Sequence, residues 1–242
     1  MSNAAVPVDT PLRRFAGWAG LGFALLVLIQ NGVLLVGVPL NDAPMAEILS
    51  FYTDNAGRIT AATALVPINV VLLLTFVAGV TSWARERSDA SLDWGRLGLG
   101  GAVLMASTFL LTTVLQIALV VLIDVGADSS IIELIWIVHA AAFALNMTGL
   151  AVTLAGLAQV SRVSALGPNW LNSVALAGAL CLLIAAVFAK QTIDGSPVLF
   201  VGLAGFATWL VWVPVNSIIL IRRQARSSEP HTSAGSSQRH PR

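Results

Sequence analysis

Charge is scarce in this chain. Asp, Glu, Lys and Arg make up 10% of its 242 residues, hydrophobic residues make up 57%, and the mean hydropathy is +0.84. Soluble domains carry about a quarter charged residues, so a soluble globular fold is excluded. Lysine occurs once, as Lys190 at the end of an apolar run, which leaves no deep lysine for a retinal Schiff base. Cysteine occurs once, as Cys181 in the middle of another run; it can form no disulfide within the chain and reads as a small apolar residue. His231 and His240 lie in the C-terminal tail, so His139 stands alone in the apolar region and a bis-histidine haem lacks its second ligand. The H-E-x-x-H, G-x-S-x-G and Walker patterns are absent, as are paired Asp-rich motifs for a prenyl diphosphate. No metal site and no cofactor is expected. A net charge of +1 without a basic stripe makes nucleic acid no expected partner.

What the chain has instead is six apolar runs: Phe15–Val38, Ile59–Trp83, Leu97–Ile123, Ile131–Gln159, Trp170–Ala189 and Val198–Ile221. A hydrocarbon core of about 30 Å takes roughly 20 helical residues to cross, and each run is long enough. The fold class that follows is all-α: a polytopic membrane bundle of six transmembrane helices, with the lipid bilayer as its surroundings. An even number of spans puts both termini on one side. That side collects 11 basic residues, including Arg13, Arg14, Arg85, Arg96, Arg162 and Arg223, against two, Arg58 and Lys190, on the other. The positive-inside rule then makes both termini cytoplasmic and the plasma membrane the expected location. Trp18, Trp83, Trp94 and Trp170 fall near the same inner boundary, where amphipathic rings are favoured. The first run is too long for a signal-peptide core, and no small-x-small cleavage site precedes the polar loop at Asn41.

The expected organisation is a cytoplasmic segment over 1–14, a six-helix domain over 15–223 and a disordered cytoplasmic tail over 224–242, rich in Ser, Pro and Gly with little to bury. The longest connection, Pro39 to Arg58, carries Met45, Ile48, Leu49 and Tyr52 at helical spacing, with Glu47, Ser50 and Asp54 opposite. This predicts a short helix near 43–53 lying on the outer membrane surface, with Asp42 and Pro44 suited to its start.

Polar residues inside the spans mark the candidate sites. His139, Asn146 and Thr153 are spaced by seven and so share one stripe of span 4, beside a stripe of Ala142, Gly149 and Gly156. Small residues let a second helix approach, and polar side chains then bond across the contact. Gln30 and Asn31 in span 1, Asn69 in span 2, and Thr112 and Gln116 in span 3 lie at similar depth. With His139 and Asn146 they are candidates to line one outward-facing cavity, or to serve as plain ties between helices. Glu133, offset from His139 by about 120° at 100° per residue, is a candidate proton donor with His139. Its plainer role is to cap the helix start or reach interfacial water. Pro67-x-Asn69 and Pro214-x-Asn216 repeat a small pattern in spans 2 and 6. Spans 2 and 6 are not partners in a three-plus-three inverted repeat, so the pattern gives that architecture no support. Trp209 and Trp212 read as packing residues.

The stretches "MAEILSFYTDNAGRITAA", "GPNWLNSVALAGA" and "GFATWLVWVPVNSIILIRR" resemble a broad set of small six-span actinobacterial integral membrane proteins of unknown function. The resemblance implies a plasma-membrane protein and brings no assigned catalytic residues. Three functions compete. The first is a non-enzymatic membrane module: a partner, stabiliser or sensor for another membrane protein, or a homo-oligomer. The second is a small-molecule transporter with a polar cavity around Asn31, Asn69, Gln116 and His139. The third is an intramembrane enzyme acting on a lipid or isoprenoid through His139 or Glu133. The orientation has a direct test. Single cysteines placed between Asn41 and Gly57 are expected to react with a membrane-impermeant thiol reagent in intact cells, and cysteines at Ser88 or Ser227 are not. Labelling of Ser88→Cys from outside contradicts the six-span inside–inside topology.

Overall fold

In the computed structural model, residues 11–85 and 89–227 are described, and every regular element among them is helical. Helix α1 (Pro11–Ile29) runs on into a π-helical turn, Gln30–Leu34; α2 spans Met45–Arg85, α3 Asp89–Asp124, α4 Ser129–Val163, α5 Asn169–Val187, α6 Ala189–Ile193 and α7 Val198–Ser227. All except the short α6 are long and apolar enough to cross a membrane, where a helix satisfies its own backbone polar groups. Most of the expected tail, from 228 onwards, lies outside the described residues, as do residues 1–10; α7 itself continues to Ser227.

The six long helices form a closed ring. Each packs against its sequence neighbour, α5 against α7 directly, and α1 and α7 close the circuit. Gly17 of α1 lies against Ile221 of α7, and the Arg223 guanidinium donates to the carbonyls of Ala165 and Leu166 at 2.7 and 3.0 Å. Both ends of the described chain therefore sit at one end of the bundle, the terminal end. The loops after α1, α3 and α5 gather at the distal end.

The most extensive interface is α3 on α4. On α4, His139, Ala142, Asn146, Gly149, Thr153 and Gly156 are all buried, so the two stripes share the inward face. Glycine decides how close the helices come. A Cβ on Gly156 would lie 2.5 Å from the backbone nitrogen of Gly98, and one on Gly149 would lie 2.5 Å from that of Met105. Gly101 meets the backbone of Thr153 in the same way. Lipid tails are as apolar as the side chains, so helices gain little from hydrophobic burial against each other; close van der Waals packing on small residues replaces it.

The centre of the ring is filled by aromatics. Trp209 and Trp212 are fully buried and stacked, with ring centroids 6.5 Å apart. Phe23 meets Trp209 edge-on at 6.1 Å, and Phe76 meets Trp212 at 6.4 Å, the T-shaped arrangement the ring quadrupoles favour. The Trp212 indole N–H donates to Asn172 Oδ1 at 3.1 Å.

At the distal end, the segment from Met45 joins the second span without a loop. The break falls at Asn55, whose φ of −119° and ψ of 16° are not helical. Its Nδ2 donates to the Phe51 carbonyl, and its Oδ1 accepts from Arg58. Arg58 also donates to the carbonyls of Val33 and Val36 at 2.9 and 3.3 Å. A cation thus meets the exposed carbonyls where the first span ends, the favoured sign at a helix C-terminus. Ile48 and Tyr52 are buried on Leu119, Ile132 and Trp136, so this segment lays its apolar face on the distal ends of α3 and α4. The Trp136 indole N–H donates to the Asn41 carbonyl at 3.1 Å and ties down the preceding loop.

The α3–α4 seam makes a prediction. Gly156→Ala, whose methyl meets backbone that cannot give way, is expected to destabilise the bundle by about 1–3 kcal/mol. Gly100→Ala, with nothing within 4 Å of its added carbon, is expected to leave stability unchanged or slightly raised. Unfolding of the purified protein by SDS in mixed micelles measures both. Equal effects of the two changes would contradict the seam.

Candidate functional site in the centre of the bundle

The polar residues of the spans go to different places. Gln30 and Asn69 are buried and bond each other: Asn69 Nδ2 donates to Gln30 Oε1 at 3.2 Å, and Gln30 Nε2 donates to the Ala62 carbonyl at 3.3 Å. This ties α1 to α2. The π-turn begins here, with the Leu35 N–H bonded to the Gln30 carbonyl at 2.9 Å. Such wide turns inside helices frequently mark functional sites. Gln30 is turned to α2, while Asn31, next in the chain, is exposed on the inner side and lines a central cavity.

The Pro-x-Asn pattern has a structural explanation. Two residues correspond to about 200° around a helix, so a proline on the outer side puts its asparagine inward. Pro67 is exposed in a groove between α2 and α3, and Asn69 faces α1. Pro214 is half-buried, and Asn216 accepts from Ser161 Oγ of α4 at 3.2 Å while donating to the Trp212 carbonyl. Each asparagine makes a cross-helix tie, and neither serves the carbonyl its proline frees.

His139 lies elsewhere. Its ring stacks on Trp136 with centroids 5.5 Å apart and planes at 21°, and its buried Nδ1 has no partner among the described residues. The α3–α4 register set by Gly156 on Gly98, Gly149 on Met105, and Asn146 on Thr108 places His139 level with Leu115. Gln116 is half-buried there, and Thr112 bonds the Phe109 carbonyl of its own helix. Glu133 is exposed. The cap of α4, one of the roles open to Glu133, is filled by Asp128, whose carboxylate accepts from the Ser130 N–H at 2.8 Å. The Ser130 side-chain and backbone hydrogen bonds hold the Asp128 carboxyl below the usual range.

Of the polar residues expected to share a cavity, Asn31 and Asn146 do so, whereas Gln30, Asn69, Gln116 and His139 are not in its lining. The cavity has a volume of about 140 Å³ and lies between α1, α3, α4, α5 and α7. Its wall is mostly apolar, with Phe and Leu the commonest residues, and Trp209 contributes to it. The residues of the distal segment 45–54 contribute nothing to it. Thr108 Oγ1 donates to Asn146 Oδ1 at 2.5 Å. The Trp209 indole nitrogen is buried and has no partner among the described residues. Nothing in the sequence announces it, because Trp209 and Trp212 look alike there and differ only in that Trp212 meets Asn172.

Six membrane-length apolar helices make the chain a multi-pass helical membrane protein. No family model matches it, and neither a search of curated proteins nor one of solved structures finds a match.

Proposed function

We propose that this protein is a non-enzymatic plasma-membrane module with cytoplasmic termini, acting as a partner, stabiliser or sensor for another membrane protein or a second copy of itself. The observation that carries this reading is the isolation of His139. General acid–base catalysis needs a proton-transfer group held by an orienting partner and within reach of substrate. The buried imidazole Nδ1 has none, and no Asp, Glu, Lys or Arg is among the buried residues described. The other intramembrane amides chiefly tie helices together, at about 0.6 kcal/mol each on average.

The test uses a strain lacking the gene and its deletion phenotype. His139→Phe keeps a ring on Trp136 and removes both nitrogens; His139→Gln keeps a polar group and removes the titrating one. Both variants are expected to restore the phenotype per molecule inserted in the membrane. A His139→Gln protein that reaches the membrane at the normal amount yet restores nothing makes the histidine a proton-handling group and overturns the non-enzymatic reading.

A further inference from the structure

The cations at the two ends of the bundle meet different partners, and this difference does not depend on the helper reading. At the distal end both basic residues are engaged by the protein itself. Arg58 donates to Asn55 and to the carbonyls of Val33 and Val36, and Lys190 pairs with Asp194 at 2.5 Å. Around them Asp42, Glu47, Asp124 and Glu133 are exposed. The distal end therefore presents negative charge and no free cation among the described residues.

The terminal end is the reverse. Arg223 lies over the Trp83 ring at 5.4 Å and donates to the carbonyls of Ala165 and Leu166, and Arg96 pairs with Asp93 at 3.2 Å. Those two arginines are engaged. Arg85, Arg162 and Arg222 are exposed and have no hydrogen bond or ion pair among the described residues. They stand near the ends of α2, α4 and α7. Carboxylates are few beside them: Asp93 is taken by Arg96, and Asp89 sits in the first turn of α3, where a negative charge is favoured.

Aromatic rings mark the depth of these free cations. Trp18, Trp94 and Trp170 are 63%, 38% and 67% exposed, whereas Trp209 and Trp212 of the bundle centre are fully buried. Trp18 follows Gly17, which packs on Ile221, so it stands level with the residues beside Arg222. The Trp94 carbonyl lies against Gly156. Arg162 comes six residues later on α4, about 9 Å nearer the end at 1.5 Å per residue. Tryptophan favours the headgroup level of a bilayer, and arginine reaches beyond it on an apolar stem. The free guanidiniums therefore stand at the height of the lipid phosphates.

From free arginines beside exposed tryptophans at one end only, we infer that the terminal end of the bundle is a docking surface for anionic phospholipid headgroups. Guanidinium meets phosphate with paired N–H donors as well as charge. Arg85, Arg162 and Arg222 supply those donors, and Trp18, Trp94 and Trp170 pack on the lipid just below the phosphate. A zwitterionic lipid brings its own cation to its phosphate and so gains less from the same arginines. Bound anions also offset the repulsion among the arginines. The distal end, with Arg58 and Lys190 engaged and carboxylates exposed, has no such surface.

The probes are brominated phosphatidylglycerol, which is anionic, and brominated phosphatidylcholine, which is not; bromine quenches tryptophan fluorescence on contact. Each is titrated into phosphatidylcholine bilayers holding the full-length protein. The anionic lipid is expected to be enriched about fivefold over the neutral one at the protein surface, the factor that one arginine near an anionic membrane contributes. The triple variant Arg85→Gln, Arg162→Gln, Arg222→Gln is expected to quench equally with both lipids. Salt at 1 M, where the Debye length is about 3 Å, is expected to do the same to the unaltered protein, and it decides the matter should the triple variant fail to fold. Lys190→Gln, at the other end, is expected to keep the preference. Equal quenching of the unaltered protein overturns the inference, as does a preference that survives both the triple variant and salt. Loss of the preference in Lys190→Gln overturns it too, by placing the lipid at the distal end. Soluble glycerol phosphate is expected to leave the preference intact; its removal by millimolar glycerol phosphate makes the surface a site for a free anion and overturns the lipid reading. None of these outcomes bears on His139, so the helper reading stands or falls separately.

Discussion

Backbone meets backbone along the α3–α4 seam, and the rest of the bundle is arranged around that contact. In hydrocarbon, two helices gain little by hiding apolar side chains from each other, so their attraction comes from close packing and from polar groups that find partners. Gly149 and Gly156 on α4, with Gly98 and Gly101 on α3, remove the side chains that would hold the axes apart. The register that results sets Asn146 on Thr108. It also brings Met105 and Phe109 of α3 to the same cavity wall as Asn146 and Met147 of α4. The cavity exists because large side chains surround a seam made of small ones.

Polar groups in the spans divide into two kinds by what they meet. Gln30 with Asn69, and Asn216 with Ser161, close on each other and hold neighbouring helices in register. Trp209 Nε1 and His139 Nδ1 close on nothing among the described residues. Of these two residues, Trp209 is in the lining of the central cavity and His139 is not. Burial alone did not separate them: both rings are buried, and both stack on another aromatic.

Much of the fold could be read from one dimension. The six apolar helices, the inward stripe of His139, Asn146 and Thr153, and the small-residue stripe beside it follow from length and helical period. The partner of that stripe could also have been read. "GRLGLGG" places Gly95, Gly98 and Gly101 at helical spacing, yet one helix's sequence does not say which neighbour its glycines face. Long-range choices escaped for that reason. Nothing local tells Gln30 to meet Asn69 thirty-nine residues on, or tells the chain to widen into a π-turn between Gln30 and Asn31. The segment from Met45 reads from the sequence as a short helix on the outer membrane surface. Its amphipathic spacing is the same whether its apolar face meets lipid or protein, and here Leu119, Ile132 and Trp136 receive it. Depth in the membrane left open a shared cavity or plain ties between helices. Depth fixes height along the bundle and leaves direction around each helix open, which is why Asn31 and Asn146 line one cavity and His139, Gln116, Gln30 and Asn69 are not in its lining.

The seam itself can be measured with a cross-link. In a Cys181→Ala background, Thr108→Cys and Asn146→Cys replace two side chains that touch across the seam, their oxygens 2.5 Å apart. Mild oxidation of the protein in its native membrane is predicted to join them within one chain, seen as loss of both free thiols by mass spectrometry. Ser107→Cys with Asn146→Cys, in which the first residue is exposed on the far side of α3, is predicted to keep both thiols. Bonding of the Ser107 pair with the Thr108 pair left free would contradict the register on which the seam, the polar tie and the cavity wall all rest.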